Sequence, residues 1–122
     1  NLDRIQVIKG FVNDAGHTQE TVYDVALSDS RLPEPVGNIA AVGSTVDVSS
    51  GRYTNDIGDT DLAVVWTDPD FRRDQHAFYY ARVLEIPTPR HTLLDEIALR
   101  QDRYAVDTLQ ERAYSSPIWY TP

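Results

Sequence analysis

Ala77-Phe-Tyr-Tyr-Ala-Arg-Val-Leu-Glu-Ile86 is the strongest strand in the chain. Both of its faces are apolar at the start, a pattern that fits a strand covered on both sides. It is therefore expected at the centre of a sheet. Pro87 has no N–H to give a ladder and ends it.

The runs before it supply neighbours. Arg4 to Val12 alternates Ile5 and Val7 with polar residues, and Gly10 invites a bulge before Phe11 and Val12. Glu20 to Leu27 sets Tyr23, Val25 and Leu27 on one face. Asn13-Asp-Ala-Gly16 between them is turn chemistry, so the two runs read as a β-hairpin. Ser28 to Gly43, rich in Ser, Pro and Gly, reads as a long loop. Thr45 to Val48 and Leu62 to Trp66 resume a strand-like alternation, with the turn-rich Ser49 to Thr60 between them. Phe71 to Gln75 suits one helical turn.

After Pro87 only Thr92 to Arg100 patterns as a helix. Leu93, Leu94, Ile97 and Ala98 share a face, Thr92 is placed to cap, and Asp95 and Glu96 fall near the positive end. Arg103 to Arg112 is ambiguous, and Ser116 to Tyr120 reads as a last strand. Short strands, many turns and one helix predict a mainly β fold, an antiparallel immunoglobulin-like β-sandwich with one short helix. Leu62-x-Val64-x-Trp66 followed by Asp74-x-x-Ala77-Phe-Tyr79 resembles strands E and F of such domains. Tyr79 would then be the corner tyrosine, bonded to backbone near Asp70 to Asp74. The plainer reading is any tyrosine-rich strand.

Composition narrows the function classes. One domain over residues 1–122 with 41% hydrophobic residues can build a core. The chain has no cysteine, which excludes thiol catalysis, disulfides and cysteine-held metals. No run of about 18 apolar residues marks a membrane span. Without such a run no membrane insertion is expected, and nineteen acidic against eleven basic residues give a net charge of −8, which repels a phosphate backbone, so no nucleic-acid partner is expected. The chain opens at Asn1 without a methionine, and the expectation is a piece of a longer polypeptide.

No motif carries complete chemistry. His17, His76 and His91 lack metal-ligand spacing and read as surface or corner residues. The acidic stretch Asn55 to Asp61 does not match a calcium loop, and Asp68-Pro-Asp70 reads as a turn or cap. Ser115-Ser116 has no activating neighbour, and no nucleophile elbow or phosphate loop is present. Catalytic residues and metal ligands are therefore expected to be none, with no cofactor in this domain. Pro87-Thr-Pro-Arg90-His91 is stiffened by two prolines, so Arg90 and His91, together with Arg112, are candidates for an interface or a substrate rim. Surface salt bridges are the plainer account of them.

Val42-Gly-Ser-Thr-Val46-Asp, Tyr53-Thr-Asn-Asp-Ile-Gly58, Val65-Trp-Thr-Asp-Pro-Asp-Phe71, Ala77 to Arg90, and Ser115-Ser-Pro-Ile-Trp-Tyr-Thr-Pro122 together resemble the C-terminal part of bacterial proteins of the domain-of-unknown-function 3604 family. In that family an acidic residue and a proline commonly follow the phenylalanine where this chain has Arg72-Arg73. A tryptophan is common at the position of His91. The resemblance implies a longer parent whose upstream part is similar to metal-dependent phosphoesterases, with a divalent metal held there, and a periplasmic or extracellular setting. The chain is then expected to be a non-catalytic domain whose partner is the upstream domain of the same polypeptide. The alternative is a ligand-binding or protein-interaction sandwich, for example for a carbohydrate, using Trp66, Trp119 and the tyrosines where they are exposed. An apolar patch beside the central and last strands would favour packing on a neighbour.

Overall fold

The computed structural model describes residues 1–32 and 39–122. The expected long loop runs through the undescribed 33–38, and its described parts carry no strand. Two long strands open the chain: β1 (Leu2–Val12) and β2 (Thr18–Leu27). They pair antiparallel from Arg4↔Leu27 to Val12↔Thr18, as the hairpin reading requires. The Asn13 side chain builds the turn by accepting the N–H groups of Ala15 and His17, while Gly16 takes φ 79°.

β3 (Ala77–Glu85) is the central strand. One edge pairs antiparallel with β1, from Leu2↔Glu85 to Phe11↔Ala77. The other edge is shared by β6 (Arg112–Tyr114) and β7 (Ile118–Tyr120). The break between them falls at Ser115-Ser116-Pro117, and Pro117 cannot donate to a ladder. Ser115 keeps the edge closed there: its N–H donates to the Ala81 carbonyl and its Oγ accepts the Ala81 N–H, both at 2.9 Å. The sheet order is β2-β1-β3-β6, with β7 also on β3.

The chain after β3 builds a smaller layer. β4 (Thr88–Pro89) pairs with β5 (Thr108–Leu109), and α1 (His91–Leu99) lies between them in sequence. Leu94 and Ile97 of α1 sit over Gly51, and Ile86 sits against Gly58, so this layer packs on the turn-rich segment at residues 47–59. The fold is mainly β, antiparallel, with one short helix among the described residues. That is consistent with the expected β-sandwich. Hydrophobic burial centres on Ile8, Val25, Leu27, Ala77, Ile86 and Leu93.

Five local expectations are corrected. Thr45–Val48 is not a strand: it makes one bridge, Asp47↔Arg52, because the Asp47 carboxylate gathers the Ser49 N–H and the Ser49 and Ser50 hydroxyls into a turn. Leu62–Trp66 joins no ladder and instead runs as a strap, with Val65 99% exposed. Phe71–Gln75 forms a turn rather than a helical turn, closed by a Gln75 N–H to the Arg72 carbonyl. The helix begins at His91 with Arg90 at the cap position and no side-chain cap; Thr92 Oγ1 is buried without a partner, and no acidic residue lies in the first turn.

Gly10 is the fifth. It sits in regular register between Glu20 and Phe78, while the irregularities fall at Ile5/Gln6 and Leu2/Arg4. Its small size serves the ring of Phe78, which lies where a Cβ would project. Gly10→Ala should therefore displace that ring and cost about 1–3 kcal/mol in a denaturant melt. In the Phe78→Leu background the same change should cost clearly less. Equal costs in both backgrounds would show that the ring is not the obstacle.

Candidate functional site

The register sorts side chains into rows that cross the sheet. On one face, Asp24, Gln6, Arg82 and Tyr114 form the first row, from β2 to β6. Gln6 links it, donating to Asp24 at 2.9 Å and accepting from Arg82 Nε at 2.8 Å. The next row is Val22, Ile8 and Tyr80. The third is Glu20, Gly10, Phe78 and Trp119. Aromatic rings run along this face. Trp119 and Phe78 have centroids 5.1 Å apart, Phe78 and Tyr80 stack at 6.4 Å, and Tyr80 meets Tyr114 at 6.2 Å. Trp119 is 72% exposed and Tyr114 57%.

A cavity of about 510 Å³ opens at the hairpin end of this face. Gly10 contributes no side chain to it, Phe78 and Trp119 supply apolar wall, and Glu20, Thr18 and His76 supply polar groups. His76 and Glu20 are exposed.

The opposite face is closed by the strap. Lys9, 2% exposed, points from β1 to the strap, and its ammonium donates to Asp68 Oδ2 and to the Asp70 carbonyl, both at 2.7 Å. The Tyr79 hydroxyl donates to the same Asp68 oxygen at 2.7 Å, and Tyr23 donates to Asp70 at 2.9 Å. Trp66 packs on Tyr23 at 5.0 Å, and Phe71 meets Tyr120 edge-on at 4.9 Å. Burial pulls Asp68 toward the neutral acid. Lys9, Tyr79 and the Asp70 N–H outweigh it and hold the carboxyl below its usual range. Burial, then the neighbouring carboxylates, raises both Tyr23 and Tyr79. Lys9 thus has its hydrogen bonds committed to structure. Tyr79 ties the corner down as expected, but through the Asp68 carboxylate rather than through backbone at Asp70 to Asp74.

A second buried anion, Asp3, joins the start of β1 to distant segments. It is fully buried and accepts from Arg31, Arg4 and Gln110 at 2.6, 3.0 and 2.8 Å.

The sequence candidates fall in two places. Arg90 and His91 stand together at the start of α1, where the Arg90 N–H donates to the Asp107 carbonyl. Arg112 lies on β6, opposite Leu84 and on the face of Tyr114. Arg90 pairs with Asp107 just past the β4–β5 ladder, whereas Arg112 belongs to the larger sheet, so the register does not set them side by side. Among the described residues, none of the three makes a side-chain hydrogen bond or ion pair. No group of three or more His, Cys, Asp or Glu that could hold a metal ion is found among the described residues. No described helix is long and apolar enough to cross a membrane. Sequence reasoning missed Lys9 and the Glu20–Trp119 row. A lysine between Ile8 and Gly10 in an apolar strand was the one available signal for the first; the second needs the register.

An antiparallel five-stranded sheet with one face strapped and one face aromatic, beside a small two-stranded sheet and one short helix, defines a mainly β domain. The chain belongs to the family described as "Protein of unknown function (DUF3604)", whose model matches residues 1–122. No curated protein and no solved structure matched it.

Asp68 has a depressed folded pKa, so its contribution is present above its unfolded value near 4 and is lost as pH falls through the folded one. Lys9→Met should cost about 3–5 kcal/mol by stranding that carboxylate, and should flatten the acid limb of stability against pH. Tyr79→Phe should cost about 1.5–3 kcal/mol, the worth of a bond to an ionised acceptor. Melts of the three proteins from pH 7 to pH 2 check this. An acid limb unchanged by Lys9→Met would show that the pair does not govern it.

Proposed function

We propose that this chain is a non-catalytic β domain that packs on, and completes, the upstream part of a longer polypeptide, a metal-dependent hydrolase of phosphoesterase type. The chemistry and the divalent metal belong to that upstream part, and this domain supplies surface. Export to the periplasm or the extracellular space goes with the same reading.

One observation carries it. Among the described residues, six hydrophobic residues are buried, while seventeen large ones are exposed. Isolated exposed apolar residues are ordinary, but contiguous ones mark contact surfaces. Two sets here are contiguous, and each lies beside an arginine chosen from the sequence. Tyr114 and Tyr80 extend the aromatic face beside Arg112, along the central strand and the edge it shares. Leu94 and Ile97 cover Gly51 yet keep part of their surface exposed, Leu99 and Tyr104 follow more exposed still, and Arg90 and His91 open the same helix. Tyr104 is held there by its N–H bond to the Glu96 carboxylate at 3.1 Å. An arginine at the rim of such a surface takes a carboxylate in two parallel bonds.

Arg90→Ala should leave the melting temperature of the 122-residue chain nearly unchanged. In the longer polypeptide it should impair activity or loosen the domain, read as faster hydrogen exchange in α1. Loss of stability in the 122-residue chain, with normal activity per folded parent molecule, would make Arg90 structural and sink the interface.

A further inference from the structure

We propose that the cavity at the hairpin end of the aromatic face binds a neutral sugar ring, stacked against Trp119. The site is independent of the packing surface argued above, which uses the Tyr114 end of the face and the α1 layer.

The sequence of the row makes the site. Glu20, Gly10, Phe78 and Trp119 stand side by side on four neighbouring strands. No side chain rises at Gly10; the Phe78 ring leans into that place and, with Gly10, lines the trough between the outer two. A carboxylate stands on one bank and an indole on the other, three interstrand spacings away, or about 14 Å between backbones. Thr18 and His76 close the end of the trough, the Val12 N–H donating to the His76 carbonyl to hold that position.

This combination fits a sugar better than a purely apolar ligand. A pyranose presents one face of C–H groups, which stacks on an aromatic ring, and an equator of hydroxyls, which need acceptors and donors. Trp119 and Phe78 offer the first. Glu20 offers two acceptor oxygens, and Thr18 and His76 offer groups that both donate and accept. The volume of about 510 Å³ lies in the range of small-ligand sites, which pair mostly apolar walls with a few polar groups. Charge selects among sugars: Glu20 at the rim and a net charge of −8 disfavour uronic and sulfated ones. Trp66 has no part in this site, because it packs on Tyr23 across the other face.

The two indole N–H resonances of the ¹⁵N-labelled chain give a local readout. Titration with cello-, xylo-, manno- and chito-oligosaccharides should shift the Trp119 signal saturably for at least one of them and leave the Trp66 signal in place. Calorimetry should then show binding lost in Trp119→Ala, partly kept in Trp119→Phe, and weakened about tenfold or more in Glu20→Ala, with circular dichroism confirming that each variant is folded. No saturable shift with any of these sugars up to roughly 10 mM, well beyond a millimolar site, would overturn the proposal. So would binding that survives Trp119→Ala, or tighter binding of an alginate or heparin fragment than of every neutral sugar.

Discussion

The ion pair between Lys9 and Asp68 is the constraint on which the rest of the structure depends. A lysine buried to this degree in the central part of a sheet must meet an anion, because an unpaired ammonium there would be far too costly. Here the anion comes from a segment carried across the face, whose Asp68 and Asp70 meet the ammonium. Once there, the strap seats Trp66 on Tyr23 and Phe71 on Tyr120, so the aromatic packing on that side follows from the electrostatic demand. The pair is weak evidence for stability in itself. Its consequence is that one face of the sheet has a fixed cover in a fixed register.

The other face has no such demand written into it. Its polar row, Asp24 through Gln6 to Arg82, is satisfied within the sheet. Its aromatic residues satisfy one another by ring contacts that leave outer surfaces bare. The asymmetry gives the two faces different physical roles: one is finished by its own chain, the other offers apolar area whose burial would release about 25 cal/mol for each Å² covered.

What was legible in the sequence was whatever depends on period and turn chemistry. The hairpin, the central strand from Ala77, its end at Pro87, the last strand and the existence of the helix all follow from local pattern. Leu62 to Trp66 defeats the same rule for a physical reason. Its alternation comes from one side of an extended segment lying on a sheet, and a period of two does not tell a strap from a strand that joins an edge. The helix start shifts because Arg90 is fixed from outside by the Asp107 carbonyl, a partner seventeen residues on in sequence. Arg90, His91 and Arg112 could be chosen by residue type, but their separation depends on how β4, β5 and β6 register against one another, which no local pattern records.

Gly10 joins these threads. Read locally, a glycine before Phe11 suggests a bulge, an accommodation of the backbone. In the folded sheet the backbone at Gly10 is regular, and the glycine accommodates a side chain from the neighbouring strand instead. Phe78 can lean over the neighbouring strand only because Gly10 offers no Cβ, and its ring stands in the row between Glu20 and Trp119. The residue directly next to it, Lys9, faces the other way and holds the strap. Two adjacent positions of one strand therefore govern the two faces separately, since neighbouring side chains in a strand point to opposite sides. A change at Lys9 acts first on the cover of one face, and a change at Gly10 first on the trough in the other. The alternation that made the strand readable is also what lets a single chain finish one surface while leaving the other available.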